Sequence, residues 1–259
     1  MPTRPYILAE STWKTVKDTP YTIALLPWGA TEAHNYHLPY ATDTLQCDHI
    51  AAEAARRAWA HGARPVVLPT LPFGVNTGQL DIKLDLNLNP STQHLILRDL
   101  IHAISTQGIH KIVVMNGHGG NNFKQMLREL QVAFPDTFLC AFNWYDAVPW
   151  ADYFEDLGDH AGELETSLMI HICPSLVAPL AEAGPGTAKR FAVHGLRERW
   201  VWAQRQWSAV TADTGVGNPA KATADKGAAY FDAVCGQIAQ FLIEFDAADL
   251  DSMYEDTPA

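Results

Sequence analysis

Residues 111–122, KIVVMNGHGGNN, decide the fold class of this chain. The apolar run 111–115 has the composition of a buried strand, and a glycine-rich turn follows it directly. Runs of the same kind occur three more times, separated by helical patterns: YTIALLP at 21–27, RPVVL at 64–68 and TFLCAF at 137–142. This alternation predicts an α/β fold with a mostly parallel central sheet.

Apolar residues at helical spacing predict four helices between and after these runs. The apolar stripes are Ile50, Ala51, Ala54, Ala55 and Ala58; Leu97, Leu100, Ile101 and Ile104; Phe123, Met126, Leu127, Leu130 and Phe134; and Ala224, Ala228, Phe231, Val234, Ile238, Phe241 and Phe245. The last helix is expected to begin near Ala220. Residues 72–90 carry Gly74, Gly78 and two prolines, and they predict a long loop on the substrate side.

Composition limits the domain organisation and the kinds of partner. The 259 residues, 47% of them hydrophobic, suit a single domain over 1–259 with a frayed acidic tail at 246–259. The formal charge of −11 and the pI of about 5.3 argue against nucleic-acid binding, because phosphate contacts need clustered Lys and Arg. Four scattered cysteines form no CxxC pair, and we find neither a secretion signal nor an apolar run of membrane length. A cytoplasmic protein without a membrane partner is expected.

The first group of candidate site residues lies in GATEAHNYHLPYATD, residues 29–43, directly after a predicted strand. Glu32 and His34 are two residues apart, so in an extended segment both side chains point to the same side. A carboxylate and an imidazole are suitable ligands for Zn²⁺ or Mn²⁺, and Asp43 could add a carboxylate that bridges two ions. The alternatives are a surface pair for Glu32 and His34, and a capping box in which Asp43 and Gln46 begin a helix over 48–60.

The second group is the turn NGHGGNN, residues 116–122. Its glycines allow the backbone to approach a ligand closely, and we expect Gly119, Gly120 and Asn121 to form a substrate or oxyanion loop. His118 would lie at the sheet edge beside the first group, as a further metal ligand. The alternative is a cradle of backbone N–H groups that binds an anion at a helix N-terminus.

The third group is DHAGELETS, residues 159–167, which opens a helix. His160, Glu163 and Glu165 are all candidates for catalysis or metal binding. Acidic residues in the first turn of a helix also interact favourably with its dipole, and this is the alternative for both glutamates.

These three blocks, in this order, resemble the signature of the creatininase family. EAHNYHLPYATD, NGHGGN and HAGELETS are similar to the family's first three blocks, and TGVGNPAKATADKG is similar to its C-terminal block. The resemblance implies a three-layer α/β/α sandwich, two divalent metal ions (Zn²⁺, Mn²⁺ or Fe²⁺) in each chain and often a hexameric ring. It also implies roles for five residues. Glu32, His34, Asp43 and His118 would be ligands, with Asp43 bridging, and His160 would transfer a proton.

The chain departs from the family pattern at three places. Gly120 stands where creatininase carries a ligand glutamate, Asn35-Tyr36 replaces a His-Gly pair, and the loop 72–90 lacks a histidine-rich sequence. We expect Glu165 to supply the missing ligand, and Glu163 is the alternative. Glu163 and Glu165 point about 200° apart on a helix, so both cannot face one ion, and Glu163 is assigned a catalytic or hydrogen-bonding role.

The expected function is that of a dinuclear-metal amidohydrolase. A metal-bridging hydroxide would attack a C–N bond of a cyclic amide or formamide-type small molecule. No GxSxG or HExxH motif favours another hydrolase mechanism. The alternatives are hydrolysis of a keto-cyclitol or sugar ring, and a non-catalytic metal- or anion-binding protein. The stretch containing Trp200, Trp202 and Trp207 would pack between subunits of a homo-oligomer, cover the mouth of the site, or form an ordinary covering helix.

Overall fold

The computed structural model describes residues 4–156 and 158–255, and a four-stranded parallel sheet lies at its centre. The strands are β1 (Ile23–Trp28), β2 (Pro65–Val67), β3 (Lys111–Asn116) and β4 (Phe138–Asn143), in the spatial order β2-β1-β3-β4. Leu25 of β1 pairs with Val67 of β2 and with Val113 of β3. The predicted parallel sheet is confirmed.

Helices cover both faces of this sheet. They are α1 (Trp13–Lys17), α2 (Thr42–Ala60), α3 (Pro90–Thr106), α4 (Lys124–Ala133), α5 (Glu163–Ile172), α6 (His194–Arg197), α7 (Trp207–Val210) and α8 (Ala224–Ala247). Side chains of a strand alternate between the two faces of the sheet. Accordingly, Ile23 and Leu25 pack with α2, α5 and α8, whereas Ala24 and Leu26 pack with α3 and α4. The result is the expected three-layer α/β/α sandwich.

Helix α2 begins earlier than the sequence pattern indicates. It starts at Thr42, and its N-cap residue Ala41 makes no side-chain capping bond. The capping box with Asp43 as N-cap is therefore wrong, because Asp43 lies inside the first turn. The first turns of α2 bury polar side chains, among them Asp43 and Gln46, so they do not continue the apolar stripe.

Helix α8 extends into the segment predicted to be frayed. It ends at Ala247, and the Lys111 ammonium donates to the carbonyl oxygens of Phe245, Asp246 and Ala248 at 2.6–2.8 Å. Residues 250–252 form a short 3-10 turn, and residues 256–259 lie outside the described part.

Among the described residues, no single helix is long and apolar enough to cross a membrane. One pair, α5 with residues 174–182, meets those criteria only jointly and is bent by 118°.

The carboxyl edge of the sheet gathers the chain segments that carry the candidate site residues. Residues 29–34 follow β1, and residues 117–121 follow β3. The N-termini of α2 and α5 face the same edge, since Asp43 and Glu165 both lie within reach of His34 in the segment after β1. Ligands of open parallel sheets bind at this edge, so the topology concentrates the site there.

Close packing of α8 on α5 supplies a test of the fold. A Cβ atom at Gly227 would lie 2.0 Å from the Ser167 carbonyl oxygen, whereas at Gly236 of the same helix the nearest atom is 3.7 Å away. We expect Gly227→Ala to lower the free energy of unfolding by about 1–3 kcal/mol through overpacking. The control Gly236→Ala should raise it by about 0.5–1 kcal/mol, because alanine favours a helix interior. Urea denaturation measures both, and equal effects would contradict this packing.

Candidate metal centre

Six ionisable side chains meet at the carboxyl edge of the sheet. They are Glu32, His34, Asp43, His118, His160 and Glu165. Five of them are buried and Glu165 is partly exposed. Their ligand atoms form three overlapping groups in which all atoms lie within 4.8 Å of one another, the spacing expected of side chains that hold metal ions. The structure thus brings together all five residues that the sequence predicts as ligands.

Glu32, Asp43 and His118 form the first group. Nδ1 of His118 lies 2.7 Å from Oε1 of Glu32 and 3.0 Å from Oδ2 of Asp43. Oδ2 of Asp43 is buried and has no hydrogen-bond partner of good geometry among the described residues. A buried carboxylate oxygen without a partner is costly, and a bound cation would satisfy it.

His34, Asp43 and Glu165 form a second group. Nε2 of His34 lies 3.0 Å from Oδ1 of Asp43 and 3.9 Å from Oε1 of Glu165. Asp43 therefore belongs to both groups and directs a different oxygen to each histidine. This is the arrangement of a carboxylate that can bridge two ions, and it favours the ligand interpretation over a surface pair for Glu32 and His34.

Each histidine of the cluster has its second ring nitrogen beside a backbone carbonyl. Nδ1 of His34 lies 3.0 Å from the oxygen of Glu32, and Nε2 of His118 lies 3.1 Å from that of Val75. Nε2 of His160 lies 2.8 Å from the oxygen of Ala33. A carbonyl accepts only, so these nitrogens carry protons, and the opposite nitrogens face the carboxylates, where each could bind a metal ion after losing its proton. Metal-binding histidines are oriented in the same manner.

The electrostatics of the cluster favour bound positive charge. Burial lowers the pKa of His34, but the neighbouring carboxylates, Asp43 foremost, raise it to about 10. Burial likewise opposes the charged form of His118, and Glu32 and Asp43 hold its pKa well above 6.5. Burial raises the pKa of Glu32, yet the adjacent histidines bring it well below 4.5. Protons or metal ions can supply this positive charge, and divalent ions do so with fixed geometry.

His160 differs from the other two histidines. Its Nδ1 lies 3.9 Å from Oε1 of Glu32, beyond hydrogen-bond distance. The ring packs on His34 with centroids 4.2 Å apart and meets the edge of Trp207 at 5.3 Å. His160 also lines the open cleft, so its free nitrogen is available to a bound molecule.

The glycine-rich turn contributes less than the sequence predicts. The Asn121 N–H donates to the His118 oxygen, and its side chain bonds Val75, Gln93 and Asn116, so Asn121 is a structural residue. Asn121 also lines the cleft, but these hydrogen bonds favour a structural role over one in an oxyanion loop. Gly119 and Gly120 line the cleft, and their N–H groups have no acceptor among the described residues.

The absence of a glutamate at position 120 has a steric reason. A Cβ atom on Gly120 would lie 2.3 Å from the Val75 oxygen and 2.4 Å from Nε2 of His118. A side chain there would displace the hydrogen bond between His118 and Val75. A different carboxylate approaches the cluster from α5, because Oε1 of Glu165 lies 3.9 Å from Nε2 of His34.

Glu163 is buried but lies away from the cluster. Its Oε2 accepts the backbone N–H groups of Glu155 and Asp156 at 2.9 and 2.8 Å, and its Oε1 pairs with the Lys226 ammonium. The prediction that Glu163 is catalytic is corrected by this position, and the hydrogen-bonding alternative describes it. Glu163 holds the segment that leads to His160.

The loop 72–89 contributes contacts to the site that sequence patterns do not reveal. Gln79 donates to Glu32, Asp85 accepts the Ala33 N–H at 2.7 Å, and Val75 accepts from His118. Burial raises the pKa of Asp85 to about 6. No local pattern signals these contacts, because each partner is more than 40 residues away in the chain.

A cleft of about 920 Å³ opens beside the cluster, and Glu32, His118 and His160 line it. One wall is formed by the loop 72–89 against residues 202–207: the Trp207 N–H donates to the Gly78 oxygen at 2.9 Å. Trp207 is buried over His160, whereas Trp202 is exposed on the cleft wall. Residues 198–206 are not helical, so the covering-helix interpretation of this stretch is wrong.

Comparison with known proteins identifies the family. The model of the creatininase family, described as creatinine amidohydrolase, matches residues 9–242. The mycofactocin precursor peptide peptidase of Mycolicibacterium smegmatis is 30% identical over an alignment of 176 residues that covers 63% of this chain and 67% of that protein. The creatinine amidohydrolase of Pseudomonas putida is 27% identical over 60% of this chain. The match covers 66% of the length of that protein.

A solved structure agrees over nearly the whole chain. The crystal structure of a candidate creatinine amidohydrolase from Bacteroides fragilis NCTC 9343 superposes with a TM-score of 0.92 and 44% sequence identity, covering 98% of this chain and 100% of that one. Fold and site together define a metal-dependent hydrolase that acts on carbon–nitrogen bonds. The chain belongs to the creatininase family.

The position of Glu163 leads to a pH-dependent prediction. Burial raises the pKa of its carboxyl group, but Lys226 and the two backbone N–H groups bring it below 4.5. A lowered carboxyl pKa stabilises the fold above about pH 4.5, and this contribution is lost as the pH falls through the folded-state pKa. Glu163→Gln should therefore lower the free energy of unfolding by about 1.5–3 kcal/mol at pH 7, with a smaller difference at pH 3.5. The metal content of this variant should equal that of the wild type. Loss of an ion would indicate instead that Glu163 is a metal ligand.

Proposed function

We propose that this protein is a dinuclear-metal amidohydrolase that cleaves the C–N bond of a cyclic amide or a formamide-type small molecule. The observation that carries the proposal is the Asp43 carboxylate. Its two oxygens lie 3.0 Å from nitrogens of two different histidines, one in each ligand group. A single mononuclear site would need only one of these groups.

Five side chains are proposed as ligands. Glu32, Asp43 and His118 would hold one ion, and His34, Asp43 and Glu165 would hold the other. The orphaned Oδ2 of Asp43 and the carbonyl partners of both histidines support a fit to divalent cations. Oxygen and imidazole ligands suit Zn²⁺, Mn²⁺ and Fe²⁺, so these side chains could bind any of the three ions.

The bound ions would lower the pKa of a water molecule and polarise the substrate carbonyl group. The protein's own groups would act around that chemistry. His160 holds its Nε2 proton against Ala33, which leaves Nδ1 facing the cleft to accept a proton and return it to the leaving nitrogen. The free N–H groups of Gly119 and Gly120 would orient the substrate. Trp207 packs on His160 and shields it from solvent.

A second candidate substrate is a linear peptide-type amide. The open cleft of about 920 Å³ is of the size that holds drug-sized ligands, far larger than one small ring requires. The mycofactocin precursor peptide peptidase, which matches 63% of this chain, is by its name an enzyme that cleaves a peptide. Ring opening of a keto-cyclitol or sugar stays a hypothesis for substrate assays to decide, whereas membership of a hydrolase family argues against metal binding without catalysis. Assembly as a homo-oligomer, hexameric by family resemblance, and a cytoplasmic location also stay predictions.

The bridging role of Asp43 has a direct test in metal content. We expect close to two divalent ions in each wild-type chain and the loss of at least one in Asp43→Asn, since an amide is a weak ligand. The control is Asp48→Asn in the same helix, because the Asp48 carboxylate is exposed and accepts a hydrogen bond from the Thr70 hydroxyl. Elemental analysis of the three proteins measures the ions. Two ions retained in Asp43→Asn, or none in the wild type, would contradict the proposal.

The role of His160 has a kinetic test. A panel of cyclic amides, formamides, short peptides and keto-cyclitols would first identify a substrate of the metal-loaded protein. His160→Asn should then lower kcat by about 10²–10⁴-fold, because a positioned proton-transfer group contributes that much. Its metal content should stay at the wild-type value. A variant that loses an ion instead would make His160 a ligand, and hydrolysis of keto-cyclitols alone would favour the ring-opening activity.

A further inference from the structure

Gln79, a buried glutamine in the loop 72–89, contacts a proposed ligand. Its Nε2 donates a hydrogen bond to Oε2 of Glu32 at 2.5 Å. The other oxygen of Glu32, Oε1, lies 2.7 Å from His118 and 3.9 Å from His160. Glu32 therefore turns one oxygen toward the cluster and the other toward Gln79.

The chemistry of the pair fixes which end of the amide faces Glu32. An ionised carboxylate only accepts hydrogen bonds, so the NH₂ group of Gln79 must face it. The amide oxygen Oε1 of Gln79 is then left buried, with no donor among the described residues. An unsatisfied buried acceptor destabilises a fold. A glutamine here is thus a poor choice for stability alone, and its hydrogen bond to Glu32 is the interaction that distinguishes it from an apolar residue of similar size.

The backbone holds Gln79 in place. Its N–H donates to the Asn76 oxygen and its oxygen accepts from the Ile82 N–H, both at 2.9 Å. The preceding residue, Gly78, approaches the cleft wall so closely that a Cβ atom there would lie 2.2 Å from the Arg205 oxygen. The donor to Glu32 is therefore presented from a fixed turn.

We propose that Gln79 is a positioning residue of the metal centre, which orients Glu32 so that only Oε1 faces the ion shared with Asp43 and His118. The inference rests on the proposed dinuclear centre. It distinguishes the two ions: the one that Glu32 would bind depends on Gln79, whereas the one bound by His34, Asp43 and Glu165 does not. Partners that orient metal ligands typically contribute 10–100-fold to metal affinity.

The experiment is a Zn²⁺ titration of the metal-free protein in competition with a chromophoric chelator. In Gln79→Leu, the dissociation constant of one ion should rise by about 10–100-fold, and that of the other should stay at the wild-type value. The metal-free variant should unfold in urea close to the wild-type midpoint, because leucine removes the unsatisfied oxygen of Gln79 but also leaves Oε2 of Glu32 without its donor. If Gln79→Leu does not fold, Gln79→Met serves, because it keeps the length of the side chain without the donor.

Gln93→Leu is the matched control. Gln93 is also buried, donates one hydrogen bond, to Asn121 at 2.8 Å, and has an unsatisfied Oε1. Its partner is not a proposed ligand, so both ions should keep their wild-type affinity. The positioning role is overturned if Gln79→Leu leaves both ions unchanged, weakens both equally, or behaves like Gln93→Leu. A wild-type protein that binds no Zn²⁺ would overturn the dinuclear centre and this inference together.

Discussion

The shared carboxylate of Asp43 is the constraint on which the rest of the site depends. It lies buried between His118 and His34, with Glu32 and Glu165 on either side. Three carboxylates so close together cannot all remain ionised in a buried place without compensating positive charge. His34 and His118 each turn one ring nitrogen toward them, and the other ring nitrogen donates to a backbone carbonyl. The arrangement of these side chains suits divalent cations, which would balance the negative charge of the carboxylates.

The fold supplies the positions that this charge arrangement requires. A parallel sheet brings the ends of β1 and β3 to one edge, and α2 and α5 begin at that edge. Asp43 and Glu165 lie in the first turns of these two helices, where the positive end of the helix dipole stabilises a carboxylate. The covering loop 72–89 then contacts the proposed ligands from the outside. The proposed metal centre is thus built from elements that also form the core.

Local patterns in the sequence are enough to predict the sheet and most of the side chains that meet at its carboxyl edge. Continuous apolar runs mark β1 and β3 because both faces of these strands are covered. The start of α2 was missed because its first turns bury polar side chains toward the site, which interrupts the apolar stripe. Helix geometry predicts that only one of Glu163 and Glu165 faces the cluster, and the structure places Glu165 there. The ion pair of Glu163 with Lys226 could not be predicted, because Lys226 lies some 60 residues away in the chain. For this reason the sequence alone did not favour the hydrogen-bonding role of Glu163 over a catalytic one. Gln79 and Asp85 could not be found in this way, since their partners Glu32 and Ala33 are remote in sequence.

Electron paramagnetic resonance of the protein loaded with Mn²⁺ tests the central claim most directly. Two ions that share the Asp43 carboxylate would lie about 3.5–4 Å apart, close enough for their electron spins to couple. We predict the spectrum of an exchange-coupled Mn²⁺ pair at saturation, and its replacement by the signal of an uncoupled ion in Asp43→Asn. A wild-type spectrum of isolated Mn²⁺ ions at full occupancy would contradict a shared carboxylate.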